Sequence, residues 1–160
     1  MQIRRVQEDD WEVVRDVRLR ALREDPGVFG SSLAREEMFA EPHWRMRVRG
    51  AATWVVDDEG TPRGLVGMIQ EPGSPTSDRH VVQLWVAPEV RRRGLGWALL
   101  DAVKEAARAE GAATVSLWVV DGNHAAGDLV VRAGFERTNE RHALPRDPSQ
   151  VEERLVLRLG

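Results

Sequence analysis

The stretch Val86-Ala-Pro88-Glu-Val-Arg91-Arg92-Arg93-Gly94-Leu95-Gly96-Trp97-Ala-Leu-Leu-Asp-Ala-Val103 decides how the chain folds. An apolar run stops at Pro88 and three arginines follow. Two glycines then open a segment with Leu, Ala and Val at helical spacing. A strand that feeds a glycine-rich turn into a helix N-terminus presents amides with no intrahelical acceptor, at the positive end of the helix dipole. Gly94 and Gly96 let the backbone approach an anion closely, and Arg91, Arg92 and Arg93 set cations at its rim. A diphosphate suits such a turn. The dinucleotide turn does not fit, because Gly94-Leu-Gly96-Trp-Ala-Leu99 lacks its third glycine, and no Gly-Lys-Ser/Thr nucleotide loop is present. The bland alternative is a solvated basic loop whose glycines only turn the chain.

Outward from the turn, His80 to Val86 is nearly continuous in apolar residues, which predicts a central strand. Thr53–Val56 and Gly64–Ile69 flank the turn Asp57-Asp-Glu-Gly60 as a hairpin, and 71–78 reads as a loop. Ile3–Val6 predicts a first strand. Asp9 and Asp10 offer a cap to a helix with Trp11, Val14 and Val17 on one face, and a second helix is expected over 35–49, interrupted near Pro42. Beyond the turn, the helix is expected to run to about Glu110 and to stop at Gly111. Thr114–Val120, Phe135–Ala143 and Val151–Leu159 read as strands, with a short helix over Asn123–Arg132. The expected architecture is α/β, a single domain over 1–160 with a mixed sheet.

Composition narrows the function. At 160 residues, 42% apolar and 31% charged, the chain suits one soluble core. A net charge of −3 argues against a nucleic-acid partner. The absence of cysteine excludes a disulfide framework, a thiolate nucleophile and Cys-ligated zinc, and it suits the cytoplasm. No metal ligand set is expected. The charged N-terminal stretch does not resemble a secretion signal, and no apolar run approaches the ~20 residues of a membrane span.

Arg91-x-x-Gly94-x-Gly96 after Val86-x-Pro88 resembles the acetyl-CoA signature of the GNAT acyltransferase superfamily. Asn123-His-Ala-Ala126, then Leu129 and Gly134-Phe135, is similar to that superfamily's later N-x-x-A…G-F segment. The resemblance implies a single GNAT-like domain, with a mixed sheet of about seven strands and about four helices. It implies strands that splay at the cofactor site, with the amides of 92–97 (Arg92, Arg93, Gly94, Leu95, Gly96, Trp97) on the CoA diphosphate. It implies backbone groups of Leu84, Trp85 and Val86 along the pantetheine arm, Asn123 against that arm, and Arg132 within reach of the 3′-phosphate. The implied reaction is direct attack of an amine on the acetyl thioester, through a tetrahedral oxyanion, with CoA thiolate leaving and no covalent enzyme intermediate.

Two positions depart from the superfamily's pattern. Many members carry a glutamate base on the central strand where this chain has His80. An imidazole titrates near pH ~6.5 and can accept a proton at neutral pH if it faces the opening. It can equally be an exposed strand-start residue. Glu71 is a second candidate base, and Glu36 and Glu37 are a third pair; their alternative reading is a solvated helix face. Many members place a tyrosine acid where this chain has Val130, and the chain has no tyrosine. Water, a hydroxyl or His124 would have to protonate the thiolate, or it leaves unassisted, since a thiol of this kind has a pKa near ~8.5. Among the six tryptophans, Trp11, Trp54 and Trp118 read as packing. Trp44 is expected to border the acceptor site, Trp85 to line that site or the core, and Trp97 to flank the cofactor. Two functions remain: an N-acetyltransferase for a small-molecule or peptide amine, or an acetyl-CoA-binding sensor without turnover. The C-terminal strand pair offers an edge for a homodimer.

Overall fold

The computed structural model describes residues 1–145 and 147–160; Arg146 lies outside the described residues. The elements follow as β1 (Gln2–Arg5), α1 (Trp11–Glu24), α2 (Leu33–Glu36), α3 (Glu41–Gly50), β2 (Ala52–Asp58), β3 (Thr61–Ile69) and β4 (Asp78–Val86). Then come α4 (Leu95–Ala109), β5 (Thr114–Val120), α5 (His124–Arg132), β6 (Glu136–Ala143) and β7 (Val151–Arg158). Short 3₁₀ turns cover Pro26–Val28 and Pro88–Val90.

One sheet of seven strands runs β1-β2-β3-β4-β5-β7-β6. β4 and β5 are parallel and joined through α4, and the other neighbours are antiparallel. The strand predicted over His80–Val86 is central. The helix expected over 35–49 is two helices, α2 and α3, so five helices replace the expected four. Pro42 lies at the start of α3, where its missing N–H costs nothing, and Ser32 caps α2 by accepting from the Arg35 amide at 3.2 Å. β7 is interior and β6 alone forms that edge. All of β6 is exposed and it carries Glu136, Arg137, Glu140, Arg141 and His142, a charge pattern that disfavours strand addition.

The sheet is covered on both faces. On one, Leu99, Leu100, Val103 and Ala107 of α4 pack against Val66, Val81, Val115 and Leu117. On the other, Val14, Val17 and Leu22 of α1 and Trp44 of α3 pack against Val55, Leu65 and Trp85. Burying each such Val or Leu contributes about 1.5–3 kcal/mol. Trp44 and Trp85 are core residues, at 0% and 4% exposure, so neither offers a wall to a substrate. No helix among the described residues is long and apolar enough to cross a membrane.

Candidate active site

The site begins where two strands part. β4 and β5 pair at Asp78↔Thr114, Arg79↔Val115 and His80↔Ser116, and no pairing continues beyond. Just past this point β4 carries a bulge, with Gln83 at a φ of 49° and a register shift against β3. The parted strands enclose a cavity of about 100 Å³. Val81 and Val130 line it from the α4 side, and Phe29 and Trp118 from the other, so the opening passes through the sheet.

On the α4 side lies the glycine turn. Gly94 caps α4 with a φ of 77°, a left-handed conformation that a residue with a Cβ adopts at a cost of about 1–2 kcal/mol. Gly96 has a different reason. A Cβ there would lie 2.8 Å from Leu129 Cδ2 of α5, so this glycine serves the close approach of two helices. Among the described residues the amides from Arg92 to Trp97 donate to no backbone carbonyl, those of Leu95 to Trp97 because the first helical turn has no acceptors for them. Arg92 and Arg93 are exposed and form no ion pair among the described residues. Arg91 turns inward: its Nε donates to Val86 O at 2.9 Å and its Nη2 to Asp25 at 2.7 Å, where Trp85 Nε1 also donates. Leu95 is half-buried against the core, and Trp97 is 40% exposed beside Lys104.

The Ala87 amide donates to Arg63 O of β3, so by alternation Val86 and Leu84 direct their backbone groups toward the opening and Trp85 directs its own toward β3. Asn123 lines the cavity but also caps α5, accepting from the Ala126 amide at 3.3 Å. These free amides, the two exposed guanidinium groups and the unpaired β4 edge fit a diphosphate followed by an extended arm. His124 and Arg132 face a larger groove of about 750 Å³ beyond α5.

On the α1 side, at the closed end of the parting strands, sits a polar cluster. His80 and Glu71 are brought together, with His80 Nε2 3.4 Å from Glu71 Oε2. His80 is 3% exposed and does not line the cavity. Its Nδ1 lies 2.8 Å from Ser116 Oγ. Ser116 donates to Asp78 at 2.6 Å, and Arg154 of β7 donates to Ser116, Asp78 and Glu71. Trp118, which lines the cavity, donates to Glu71 at 3.3 Å. Burial is the largest influence on His80 and pushes its pKa below the ordinary imidazole value, against the pull of Glu71. Burial raises Glu71, but donors from Arg154 and Ser74 outweigh it and leave the carboxyl below its ordinary value.

Sequence reasoning missed Ser116, Asp78 and Arg154. Their signal was present in part, since Ser116 interrupts an otherwise apolar strand, Thr-Val-Ser-Leu-Trp-Val-Val. Of the other candidate pair, Glu37 is exposed, whereas Glu36 is 1% exposed and held by Arg18 at 2.9 Å and Arg47 at 3.0 Å. Val130 is fully buried and lines the opening with a side chain that has no proton to give.

The model of the acetyltransferase (GNAT) family matches residues 12–135. The chain belongs to the GNAT family. A curated relative, an uncharacterised N-acetyltransferase of Methanocaldococcus jannaschii, is 32% identical over 96 residues, 58% of this chain and 42% of the relative. The chain therefore spans less than half of that relative's length. A GNAT acetyltransferase from Streptococcus pneumoniae superposes with a TM-score of 0.82 at 16% identity, covering 99% of each chain. A ribosomal-protein-alanine N-acetyltransferase from Brucella melitensis gives 0.77 at 20% identity, again over 99% of each. A Salmonella typhimurium acetyltransferase determined with acetyl-CoA gives 0.78 at 16% identity, over 100% of this chain and 94% of the other. All three share the fold of this chain over nearly its whole length.

Proposed function

We propose that residues 1–160 form a single-domain N-acetyltransferase that moves an acetyl group from acetyl-CoA to a primary amine by direct attack. One observation carries this reading. β4 and β5 part beyond His80 and Ser116, with unbonded amides on one side of the opening and, at its closed end behind Trp118, a Glu–His pair. Bound acetyl-CoA supplies an activated acyl group whose C–S bond breaks as the amine nitrogen bonds to the carbonyl carbon. The amides of 92–97 and Arg92 and Arg93 hold the diphosphate, while Leu84 and Val86 offer backbone groups to the arm. Arg91, tied to Val86 O and Asp25, steadies the strand end beside them. The acceptor enters past Phe29 and Trp118, and its ammonium proton passes to Glu71 and His80. Such proton transfer contributes about 10²–10⁴-fold. The acceptor is a small molecule or a peptide N-terminus.

A second reading, an acetyl-CoA-binding module without turnover, draws on Val130, which supplies no acid. The test is to incubate the chain with acetyl-CoA and benzylamine, spermidine or an alanine-initiated peptide, and to follow free thiol and acetylated product. Product above the rate without protein supports the transferase; intact acetyl-CoA affinity with no product from any amine supports the binding module.

A further inference from the structure

The hydrogen bonds around Ser116 close completely, and they assign the ring proton of His80. A serine hydroxyl donates once and accepts twice. The partners of Ser116 Oγ are Asp78 Oδ2 at 2.6 Å, Arg154 Nη2 at 2.9 Å and His80 Nδ1 at 2.8 Å. The Arg154 guanidinium can only donate. Asp78 already accepts from Thr114 Oγ1 at 2.7 Å and from Arg154 at 3.1 Å, as an ionised carboxylate does. The single hydroxyl proton therefore goes to Asp78, and Ser116 accepts from both Arg154 and His80. His80 Nδ1 must carry a hydrogen. In a neutral imidazole this leaves the lone pair on Nε2, which lies 3.4 Å from Glu71 Oε2.

We propose that Ser116, set by Asp78 and Arg154, is a positioning residue that fixes His80 in the Nδ1–H form and makes Nε2, beside Glu71, the atom that receives the acceptor's proton. The proposal rests on the acetyl-transfer reading for the word acceptor, but the tautomer stands on the hydrogen bonds alone. The side chain of Glu71 is 25% exposed against 4% for His80, so it is the more accessible member of the pair. The acceptor's ammonium gives one proton to the carboxylate, which passes it to Nε2. The amine uses its freed electron pair to bond the thioester carbonyl carbon, the departing sulfur takes the electron pair of the broken C–S bond, and the second proton of the attacking nitrogen goes to that thiolate. The imidazolium so formed lies between Ser116 and the Glu71 carboxylate. The charged groups around the ring are Glu71 from the loop after β3, Asp78 from β4 and Arg154 from β7. Glu140 from β6 reaches Arg154 at 3.9 Å, and His142 stacks on Trp118 at 4.2 Å. The two carboxylates nearest the ring favour its protonation, while burial and Arg154 oppose it. The ring can take a proton during turnover and need not hold one at rest.

The experiment is long-range ¹H–¹⁵N correlation spectroscopy of the histidine rings in the full chain, with His80→Gln assigning the signal. The wild type is expected to show the Nδ1–H tautomer at pH 7.5. Ser116→Ala is expected to yield a mixed or reversed tautomer. With the best amine of the three above, it should lower kcat at least fivefold at pH 7 while leaving the KM for acetyl-CoA unchanged, and Ser116→Thr should restore most of both. An Nε2–H ring in the wild type overturns the proposal. So does a Ser116→Ala protein with an unchanged tautomer and pH profile. The wild-type spectrum decides even if Ser116→Ala fails to fold. If the wild type has the Nδ1–H ring but acetylates no amine, the transferase reading fails while the tautomer stands, and Nε2 is then no acceptor of a substrate proton.

Discussion

Glu36 and His80 are both almost wholly buried titratable groups, at 1% and 3% exposure, and the fold treats them in opposite ways. Both oxygens of Glu36 are taken, by Arg18 Nε at 3.0 Å and Nη2 at 2.9 Å, with Arg47 sharing one of them. Burial raises Glu36, yet the donors from Arg18 prevail and hold its pKa at about 2. Such a carboxylate has no capacity left for chemistry. His80 commits one nitrogen to Ser116 and leaves the other facing a carboxylate, at the point where the strands part. A saturated buried cluster holds structure together. An unsaturated one beside an opening is where a proton can move.

The contrast can be broken first at Glu36. Removing one partner strands the buried guanidinium of Arg18 and the half-buried one of Arg47, and a loss of about 3–5 kcal/mol is expected for Glu36→Ala in denaturant unfolding. A loss below about 1 kcal/mol would mean that the triad is not structural. The same group sets an acid limit. Its folded pKa lies below the unfolded one, so its stabilisation is complete above pH 4.5 and is lost as pH falls through about 2. The shift corresponds to about 3 kcal/mol. Glu36→Gln should flatten that part of the stability profile.

His80 predicts a slope in a different window. Its folded pKa is lowered, so the unfolded chain binds the extra proton, and stability declines as pH falls below the ordinary imidazole value of 6.5. In His80→Gln this decline should shrink to the share of His43, whose pKa burial also lowers, while the limb below pH 4.5 persists. Turnover by the same variant should fall about a hundredfold at pH 7, and an unaltered rate profile would remove His80 from the chemistry.

The glycines give the smallest stability effects and the sharpest separation. Gly94→Ala is expected to cost about 1–2 kcal/mol from its left-handed conformation. Gly96→Ala should stay within about 1 kcal/mol, because Leu129 Cδ2 is the end of a side chain that can swing away. Gly94→Glu, which sets a carboxylate among the amides proposed to hold the diphosphate, should abolish acetyl-CoA binding by calorimetry. Unchanged affinity would move the diphosphate elsewhere.

Much of the fold was legible in the chain. The strand before Pro88, the turn and α4 are contiguous, so hydrophobic period and glycine placement mark them directly. The division of 35–49 into α2 and α3 was half legible, because Pro42 marks a break in sequence whether it starts a helix or interrupts one. The reading of Gly96 as a phosphate glycine was incomplete. Nothing local to Gly96 announces Leu129, a residue of another helix. From sequence Trp44 reads as bordering the acceptor site and Trp85 as lining that site or the core, because an aromatic residue looks the same in a wall and in a core until its neighbours are placed.

The sequence by itself determined a strand, an amide turn and a helix in an order that belongs to the GNAT family, because these depend on neighbours along the chain. Only the tertiary structure decided which polar side chains form the site. Arg154 meets Glu71 across 83 positions of sequence and Asp78 across 76, and Ser116 meets His80 across 36. A hydrogen bond requires its two atoms within about 3 Å. Whether His80 is a solvated strand-start residue or a buried ring with one free nitrogen was settled by the strand laid beside it.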